Sequence, residues 1–209
     1  MKKTLWLSGV IAVLSVLPAC GGEELSGMEP QGDGVEPAAE NLAQTSSALA
    51  VTDATWFLPY RGGYGGGNYD LDCPAGYVAT GVFGRAGKYI DRMGLTCKQL
   101  NSDGSLGGTY NTPSVGGGGG GDFSLGCTDG EAIVGLGGAS GGYVDRLGLI
   151  CAKPMDWLTA SNPHYTTQAG GGGGGAFDDR CPAAHVVTSI LVNAGGLVDG
   201  VRARCNRIN

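Results

Sequence analysis

The chain has 209 residues, of which 42 are glycine and 15% are charged, a composition typical of one domain with many turns. This glycine content excludes a coiled coil, because glycine is costly in a helix interior. Lys and Arg number 13 against 19 Asp and Glu, and the resulting net charge of −6, with no basic stripe, predicts no nucleic-acid partner. An all-β domain is the remaining expectation.

The first residues predict an export signal. Lys2 and Lys3 precede an apolar stretch at residues 5–17, which is short for a membrane span and typical of a signal peptide at residues 1–19. The Leu-Pro-Ala-Cys sequence ending at Cys20 resembles a bacterial lipobox, which predicts a lipid anchor at Cys20 and an exported bacterial lipoprotein of the outer membrane or cell surface. A plain secretory signal cut near Ala19 is the alternative. Either route predicts an oxidising compartment.

The segment after the signal peptide has the composition of a tether. Residues 21–50 include six acidic residues, no Lys or Arg and few large apolar side chains, which predicts an acidic, flexible tether at residues 20–50. Residues 51–209 hold 11 basic and 13 acidic residues, a net charge of only −2. A neutral partner is therefore expected for the folded domain.

Residues 51–209 repeat one unit three times at a strict step of 54 residues. The matched positions are cysteines, aspartates, glycines and the starts of glycine tracts: Cys73, Cys127 and Cys181; Cys97, Cys151 and Cys205; Asp91, Asp145 and Asp199; Gly87, Gly141 and Gly195; Gly62, Gly116 and Gly170. The step predicts repeats at about residues 51–98, 99–152 and 153–209. Because units this small bury little surface alone, we expect threefold pseudosymmetry around one shared core.

Each unit shows the alternation of β-strands. In the first unit, apolar or small residues recur at every second position from Val78 to Val82 and from Met93 to Cys97, and the other two units agree. The pattern predicts a leading strand (residues 56–60 in the first unit), a glycine tract, a short strand near the first cysteine, and two strands joined by the Gly-x-x-x-Asp segment. Each unit thus contributes about four strands.

Six cysteines remain when Cys20 is set aside, and six cysteines allow 15 pairings. One scheme treats the three units alike without a crossing through the centre: Cys73 with Cys97, Cys127 with Cys151, and Cys181 with Cys205. A metal site is the weaker reading, because there is no C-x-x-C pair and there are only two histidines. No metal and no cofactor are therefore expected.

The turn segments carry a family resemblance. The segments at residues 87–91 (Gly-Lys-Tyr-Ile-Asp) and 141–145 (Gly-Gly-Tyr-Val-Asp) resemble the Gly-x-x-x-Asp sugar loop of jacalin-related lectins, and three copies after glycine tracts resemble the griffithsin type. This resemblance implies a β-prism I fold of three four-stranded antiparallel sheets. The cysteine segments at residues 73–76 and 95–97 are also similar to the vitelline membrane outer layer protein I family, a disulfide-bonded β-prism.

The resemblance implies three hexose sites anchored by the aspartates. A carboxylate accepts hydrogen bonds from two adjacent hydroxyls, and glycines let backbone N–H groups approach the sugar. The implied sugar-binding residues are Gly87, Lys88, Tyr89, Ile90, Asp91, Gly141, Gly142, Tyr143, Val144, Asp145, Gly195 and Asp199, and the implied glycine-tract donors are Gly63, Gly65, Gly117, Gly118, Gly171 and Gly172. Leu197 replaces the tyrosine in the third turn, so the third site is expected to be the weakest.

The sequence therefore predicts an exported, non-enzymatic lectin with up to three shallow sites for glycans, with mannose-type or glucose-type hexoses preferred over galactose. The acidic pairs Asp70/Asp72 and Asp178/Asp179 suggest a glycosidase, but neither pair recurs in all three units. The alternative is a structural envelope or matrix protein, in which the aspartates cap their own turns. Oligomeric state is left open.

Overall fold

The computed structural model describes residues 48–209; the expected signal peptide, Cys20 and most of the expected tether lie outside the described residues. The described part forms fourteen strands and one short helix. The elements are β1 (Val51–Phe57), β2 (Arg61–Gly62), β3 (Gly67–Asp72), β4 (Tyr77–Ala86), β5 (Ile90–Leu100), β6 (Leu106–Asn111), β7 (Val115–Gly116), β8 (Gly121–Gly126), β9 (Ala132–Ser140), β10 (Val144–Ala152), α1 (Pro154–Trp157), β11 (His164–Gly170), β12 (Gly175–Arg180), β13 (His185–Ala194) and β14 (Val198–Ile208). Within residues 48–209, no helix is long and apolar enough to span a bilayer.

The strands form three antiparallel sheets, which confirms the predicted architecture. Sheet 1 has the order β6-β5-β4-β8 with β7 beside β5, sheet 2 the order β11-β10-β9-β12, and sheet 3 the order β1-β14-β13-β3 with β2 beside β14. The central hairpin of each sheet comes from one unit, whereas the edge strands come from the next unit along the chain. In sheet 3 the next unit is the first, so β1 pairs with β14 and closes the ring.

One predicted strand has different bounds in the structure. The leading strand of the first unit was expected at residues 56–60, but β1 covers Val51–Phe57 and pairing resumes only at β2. The cause is Pro59, which has no N–H to donate to the ladder. The N–H of Leu58 makes the last bond before it, to the carbonyl of Ala203 at 3.0 Å.

The shared core contains one side chain from each unit at every level. Three such levels are Val82, Leu136 and Ile190; Met93, Leu147 and Val201; Leu95, Leu149 and Ala203, none of them more than 3% exposed. The expected alternation is interrupted before Val82, because a bulge between Ala79 and Gly81 turns Ala79 rather than Val78 toward this core. Burying one aliphatic side chain of this size stabilises the fold by about 1.5–3 kcal/mol. The three core residues of a single isolated unit would gain little of this stabilisation, because their contacts in the core come from the other two units.

A second apolar cluster fills one end of the prism. Trp157 of α1 is buried there with Leu49 and Ile208, and its indole N–H donates to the carbonyl of Pro182 at 3.2 Å. Val78, near the start of β4, belongs to the same cluster, whereas the end of β4 leads into the first Gly-x-x-x-Asp turn. A ten-residue strand spans about 30 Å. The described chain therefore begins at the end of the prism opposite the turns.

The three disulfides link neighbouring sheets. The pairs Cys73–Cys97, Cys127–Cys151 and Cys181–Cys205 have Cα separations of 5.7, 5.6 and 5.9 Å, which confirms the expected pairing. Cys73 follows the edge strand β3 of sheet 3, while Cys97 lies in β5 of sheet 1. The other two pairs join sheets 1 and 2 and sheets 2 and 3 in the same way. All three edges of the prism are therefore bridged covalently.

Candidate functional site

The three Gly-x-x-x-Asp segments form equivalent hairpin turns at one end of the prism. The N–H of each turn glycine donates to the carbonyl two residues later: Gly87 to Tyr89 at 2.9 Å, Gly141 to Tyr143 at 3.0 Å, and Gly195 to Leu197 at 2.9 Å. Each aspartate is then the second residue of the strand that follows. These turn N–H groups are bonded to the backbone rather than to the aspartate side chain.

Each aspartate occupies a β-bulge. Arg85 pairs with Arg92 and Ala86 with Ile90, so Asp91 is an extra residue in β5 with no partner in β4. The same irregularity occurs around the other two aspartates. A bulge re-aims its side chain and frees its backbone groups from the ladder. The aspartate carbonyl and carboxylate both become available to another segment.

That segment is the glycine tract of the next unit. The second glycine of each tract donates its N–H to the aspartate carbonyl: Gly117 to Asp91 at 2.7 Å, Gly171 to Asp145 at 2.8 Å, and Gly63 to Asp199 at 2.7 Å. We therefore define site 1 as Asp91 with tract 116–121, site 2 as Asp145 with tract 170–175, and site 3 as Asp199 with tract 62–67. Every site takes its turn from one unit and its tract from another.

The tract backbone lies against the aspartate carboxylate. A Cβ atom placed on Gly119 would come within 3.0 Å of Asp91 Oδ1, and equivalent overlaps occur between Gly173 and Asp145 and between Gly65 and Asp199. A Cβ on Gly118 would meet no atom within 4 Å. Contact with the carboxylate therefore requires glycine at position 119, whereas position 118, just before it, has room for a side chain.

The expected glycine donors fall into three groups in the structure. Gly63, Gly117 and Gly171 use their N–H groups on the aspartate carbonyls, while Gly118 and Gly172 border open space. Of the expected donors, Gly65 alone is packed against its carboxylate. Sequence reasoning missed its equivalents Gly119 and Gly173, although a 54-residue step from Gly65 leads to both.

The carboxylates of the first two sites are buried. Asp91 is 7% and Asp145 is 5% exposed, and Asp91 Oδ2 has no hydrogen-bond partner anywhere in residues 48–209. A buried charged oxygen without a donor costs about 1–3 kcal/mol or more. Native proteins seldom retain such an atom without a reason.

The expected contact residues of the turns divide by side-chain position. Ile90 and Val144 are buried in the core, so they can reach a ligand only through their backbone. Tyr89 and Tyr143 contact each other with ring centroids 5.2 Å apart, and Lys88 Nζ lies 5.3 Å from the centroid of Tyr89. The turns of sites 1 and 2 therefore meet over one end of the prism.

The three sites interlock around that end. A Cβ on Gly171 of the site 2 tract would overlap the carbonyl of Lys88 in the site 1 turn. Likewise, a Cβ on Gly63 would overlap the site 2 turn, and a Cβ on Gly117 the site 3 turn. Each tract thus separates its own aspartate from the turn of a neighbouring site. The three sites form one continuous surface.

Site 3 obtains its aromatic groups from the tract rather than from the turn. Tyr64, 80% exposed, occupies the position of Gly118 and Gly172 and stacks on Tyr60 with centroids 4.4 Å apart and planes at 7°. The hydroxyl of Tyr60 donates to the carbonyl of Gly63. Burial raises the pKa of Tyr60, and Tyr64 and the charge of Asp199 raise it further. Leu197 therefore does not leave site 3 without an aromatic wall.

The other candidate residues are engaged elsewhere. Asp179 pairs with Arg61 at 2.7 Å, Asp178 with Arg180 at 3.0 Å, and Asp72 with Arg204 at 2.8 Å. The Arg180 and Tyr165 hydrogen bonds lower the pKa of Asp178. Residues 48–209 contain no group of three or more His, Cys, Asp or Glu side chains placed to hold a metal ion.

Comparisons with known proteins bear on the fold. No family model and no curated protein sequence matches the chain. Among solved structures, Malaysian banana lectin is similar at 20% identity and a TM-score of 0.55, covering 74% of this chain and 99% of its own. A mannose-binding jacalin-related lectin from Ananas comosus matches at 19% identity and 0.55 (73% and 98% covered), and the mannose-binding lectin from champedak at 15% and 0.56 (74% and 98% covered). These neighbours confirm the β-prism I fold expected from the sequence.

Proposed function

We propose that this domain is a lectin with up to three shallow hexose sites, each formed by one aspartate and the glycine tract facing it. The observation that carries the proposal is the arrangement found three times at one end of the prism, a bulged aspartate packed against a facing glycine tract. Such a carboxylate suits a sugar, because two adjacent hydroxyls can donate to one carboxylate.

The surroundings of the carboxylates favour a neutral, hydroxyl-rich ligand. An anionic ligand would be repelled by aspartates at all three sites, and the predicted folded domain is itself close to neutral. The glycines of the tract carry no side chains that would clash with an approaching sugar ring. Tyr89, Tyr143 and Tyr64 offer apolar edges to a pyranose face. Binding, rather than catalysis, is the function that this arrangement supports.

Mannose-type or glucose-type hexoses are the preferred ligands in this proposal. The Ananas comosus and champedak lectins, which share the fold, are both described as mannose-binding. Three adjacent sites at one end also suit a repetitive glycan surface, because simultaneous engagement raises the effective affinity of weak individual sites.

We further propose that the chain is exported and held by a lipid on Cys20, at the outer membrane or cell surface. Leu49 enters the domain at the end of the prism opposite the three turns. A chain anchored through the segment before Leu49 would therefore be held by the end that carries no site. Three disulfides are consistent with an oxidising compartment.

A glycan array and calorimetric titration with methyl α-mannoside, methyl α-glucoside and methyl α-galactoside test the proposal on the oxidised protein. The variant Asp91→Asn/Asp145→Asn/Asp199→Asn should lose binding while keeping a cooperative thermal transition. Asp129→Asn is the control, since Asp129 lies outside the turns and tracts and its side chain is fully exposed. It should bind like the wild type.

A structural envelope protein is the second candidate, and the covalent bridges at all three prism edges favour it. A folded, oxidised wild-type protein that retains no glycan would decide for this candidate. Equal binding by the triple variant and the wild type would show that sugar binds elsewhere on the domain.

A further inference from the structure

A cleft of about 220 Å³ lies beside site 3 and has a distinct set of side chains. Tyr60 and Tyr64 form one part of its lining, and the rest includes Asn68, Tyr69, Asn193 and Arg202. The volume is below the ~300–1,000 Å³ typical of sites for drug-sized ligands, and it suits one small ring.

The cleft lies next to the carboxylate of site 3. Gly65, which follows Tyr64, packs against Asp199 Oδ1, and Gly200, which follows Asp199, packs against the Tyr60 hydroxyl. The stacked tyrosines therefore stand between Asp199 and the rest of the cleft. A ligand bound at Asp199 can therefore extend along these two rings toward the amide groups of Asn68 and Asn193.

At the other two sites, different residues occupy the positions equivalent to the cleft lining. The residue equivalent to Arg202 in sheet 1 is Gly94, and the ring of Phe83 lies against it. The equivalent residue in sheet 2 is Gly148, and the side chain of Gln168 lies against it. At site 1, the position of Asn193 is taken by Arg85.

These side chains differ in where they point. Arg85 donates to two carbonyls of the site 1 tract, those of Gly119 at 2.8 Å and Gly120 at 2.6 Å. Asn193 instead donates to Asn68 Oδ1 at 2.7 Å, within the lining of the cleft. The cleft is thus a local departure from threefold symmetry, next to the one site whose turn lacks a tyrosine.

The lining has the chemistry of a neutral sugar subsite, because its two charged side chains, Asp70 and Arg202, have opposite signs. Stacked aromatic rings match the apolar face of a pyranose, and the asparagine pair offers both donors and acceptors to hydroxyls. Two contacts hold Arg202 in place. The guanidinium carbon lies 4.7 Å from the ring centroid of Phe57, and the Nε–H donates to the carbonyl of Leu58 at 3.0 Å. A fixed donor is pre-organised for binding.

We propose that site 3 is an extended site for a glycan of at least two neutral hexose units, the first on Asp199 and the next in the cleft. Sites 1 and 2 bind one hexose each. This inference rests on the proposed lectin function and assigns different ligand lengths to sites that the sequence repeats make equivalent.

The test uses the full oxidised chain with Asp91→Asn and Asp145→Asn, so that only site 3 is intact. Titration calorimetry compares methyl α-mannoside with the α1-2-, α1-3- and α1-6-linked mannobioses. At least one mannobiose should bind about tenfold more tightly than the monosaccharide, as expected when a second ring gains an aromatic contact and hydrogen bonds. The reciprocal chain, Asp199→Asn alone, should show no such preference.

Two further variants separate the cleft from the aspartate. Asn193→Ala restores the residue of the second unit, Ala139, and Asn68→Ala restores the residue of the third unit, Ala176. Each should remove the disaccharide preference and leave monosaccharide affinity unchanged, with an unchanged thermal transition as the folding control.

The possible failures are distinguishable. Monosaccharide binding at site 3 without a disaccharide preference overturns the extended site and leaves the lectin function standing. The same holds if Asn193→Ala weakens the binding of both sugars equally, or if only sites 1 and 2 bind. Absence of hexose binding by the wild type overturns both proposals.

Discussion

Replacing Gly119 by alanine should damage site 1, whereas replacing its neighbour Gly118 should not. A Cβ on Gly119 overlaps Asp91 Oδ1, while a Cβ on Gly118 meets nothing within 4 Å. Neither glycine has a positive φ, so the backbone itself accepts alanine at both positions. The two substitutions therefore differ in one respect, the contact with the carboxylate.

The expected magnitudes follow from this contact. Gly119→Ala forces the carboxylate or the tract to move, and such overpacking costs about 1–3 kcal/mol. Gly118→Ala lowers the entropy of the unfolded chain and gains about 0.4–1 kcal/mol. For a domain of this size, 1 kcal/mol corresponds to roughly 2–4 °C, so the Tm of Gly119→Ala should be lower than that of Gly118→Ala by about 3–15 °C.

Binding should separate the two variants in the same direction. In a chain carrying Asp145→Asn and Asp199→Asn, calorimetry with methyl α-mannoside should show loss of at least about tenfold in affinity for Gly119→Ala, because the displaced carboxylate no longer meets two hydroxyls. Gly118→Ala should bind as its parent does. Equal affinities and equal Tm values for the two variants would refute the packing of the tract against Asp91.

Three other predictions concern stability and titration. Asp91→Asn should stabilise the ligand-free protein by about 1–2 kcal/mol in urea unfolding, since a buried charge without a donor disappears; destabilisation would instead identify Asp91 as a turn cap. Removing one disulfide with Cys127→Ser/Cys151→Ser should cost roughly 3–4 kcal/mol for a bridge spanning 24 residues, and an unchanged urea midpoint would contradict this. The pKa of Tyr60 is raised above its ordinary value of 10.0, so its contribution to stability is complete below pH 10 and is lost as the pH rises through the folded-state pKa. Asp199→Asn should lower this pKa in an ultraviolet titration, and an identical titration curve would exclude contact between the two groups.

The repeat made much of the fold predictable. A strict 54-residue step places every cysteine and every turn in equivalent surroundings, so the disulfide pairs and the hairpins at the Gly-x-x-x-Asp segments followed from symmetry. The step does not say which tract faces which turn, because the same spacing results whether Asp91 meets the tract of its own unit or that of the next. Strand pairing between units decides this, and pairing is set by tertiary packing.

The residues in direct contact were harder to predict for two reasons. Six consecutive glycines at 116–121 give no marker of register, so the glycine beside Asp91 could not be distinguished from its neighbours. The bulge at each aspartate also interrupts the alternation of strand side chains, and both Ile90 and Asp91 are buried in consecutive positions. The alternation of buried and exposed side chains expected for a strand cannot indicate two consecutive buried residues.

Because each site is divided between two repeats, the segment that is repeated in the sequence is not the segment that forms a binding site. The middle repeat holds the tract of site 1 and the turn of site 2, and so contains half of each. Deleting that repeat would therefore disrupt two sites at once, because each loses the half that the repeat supplies. An isolated repeat holds a tract and a turn that belong to different sites, so it contains both kinds of part without forming a site.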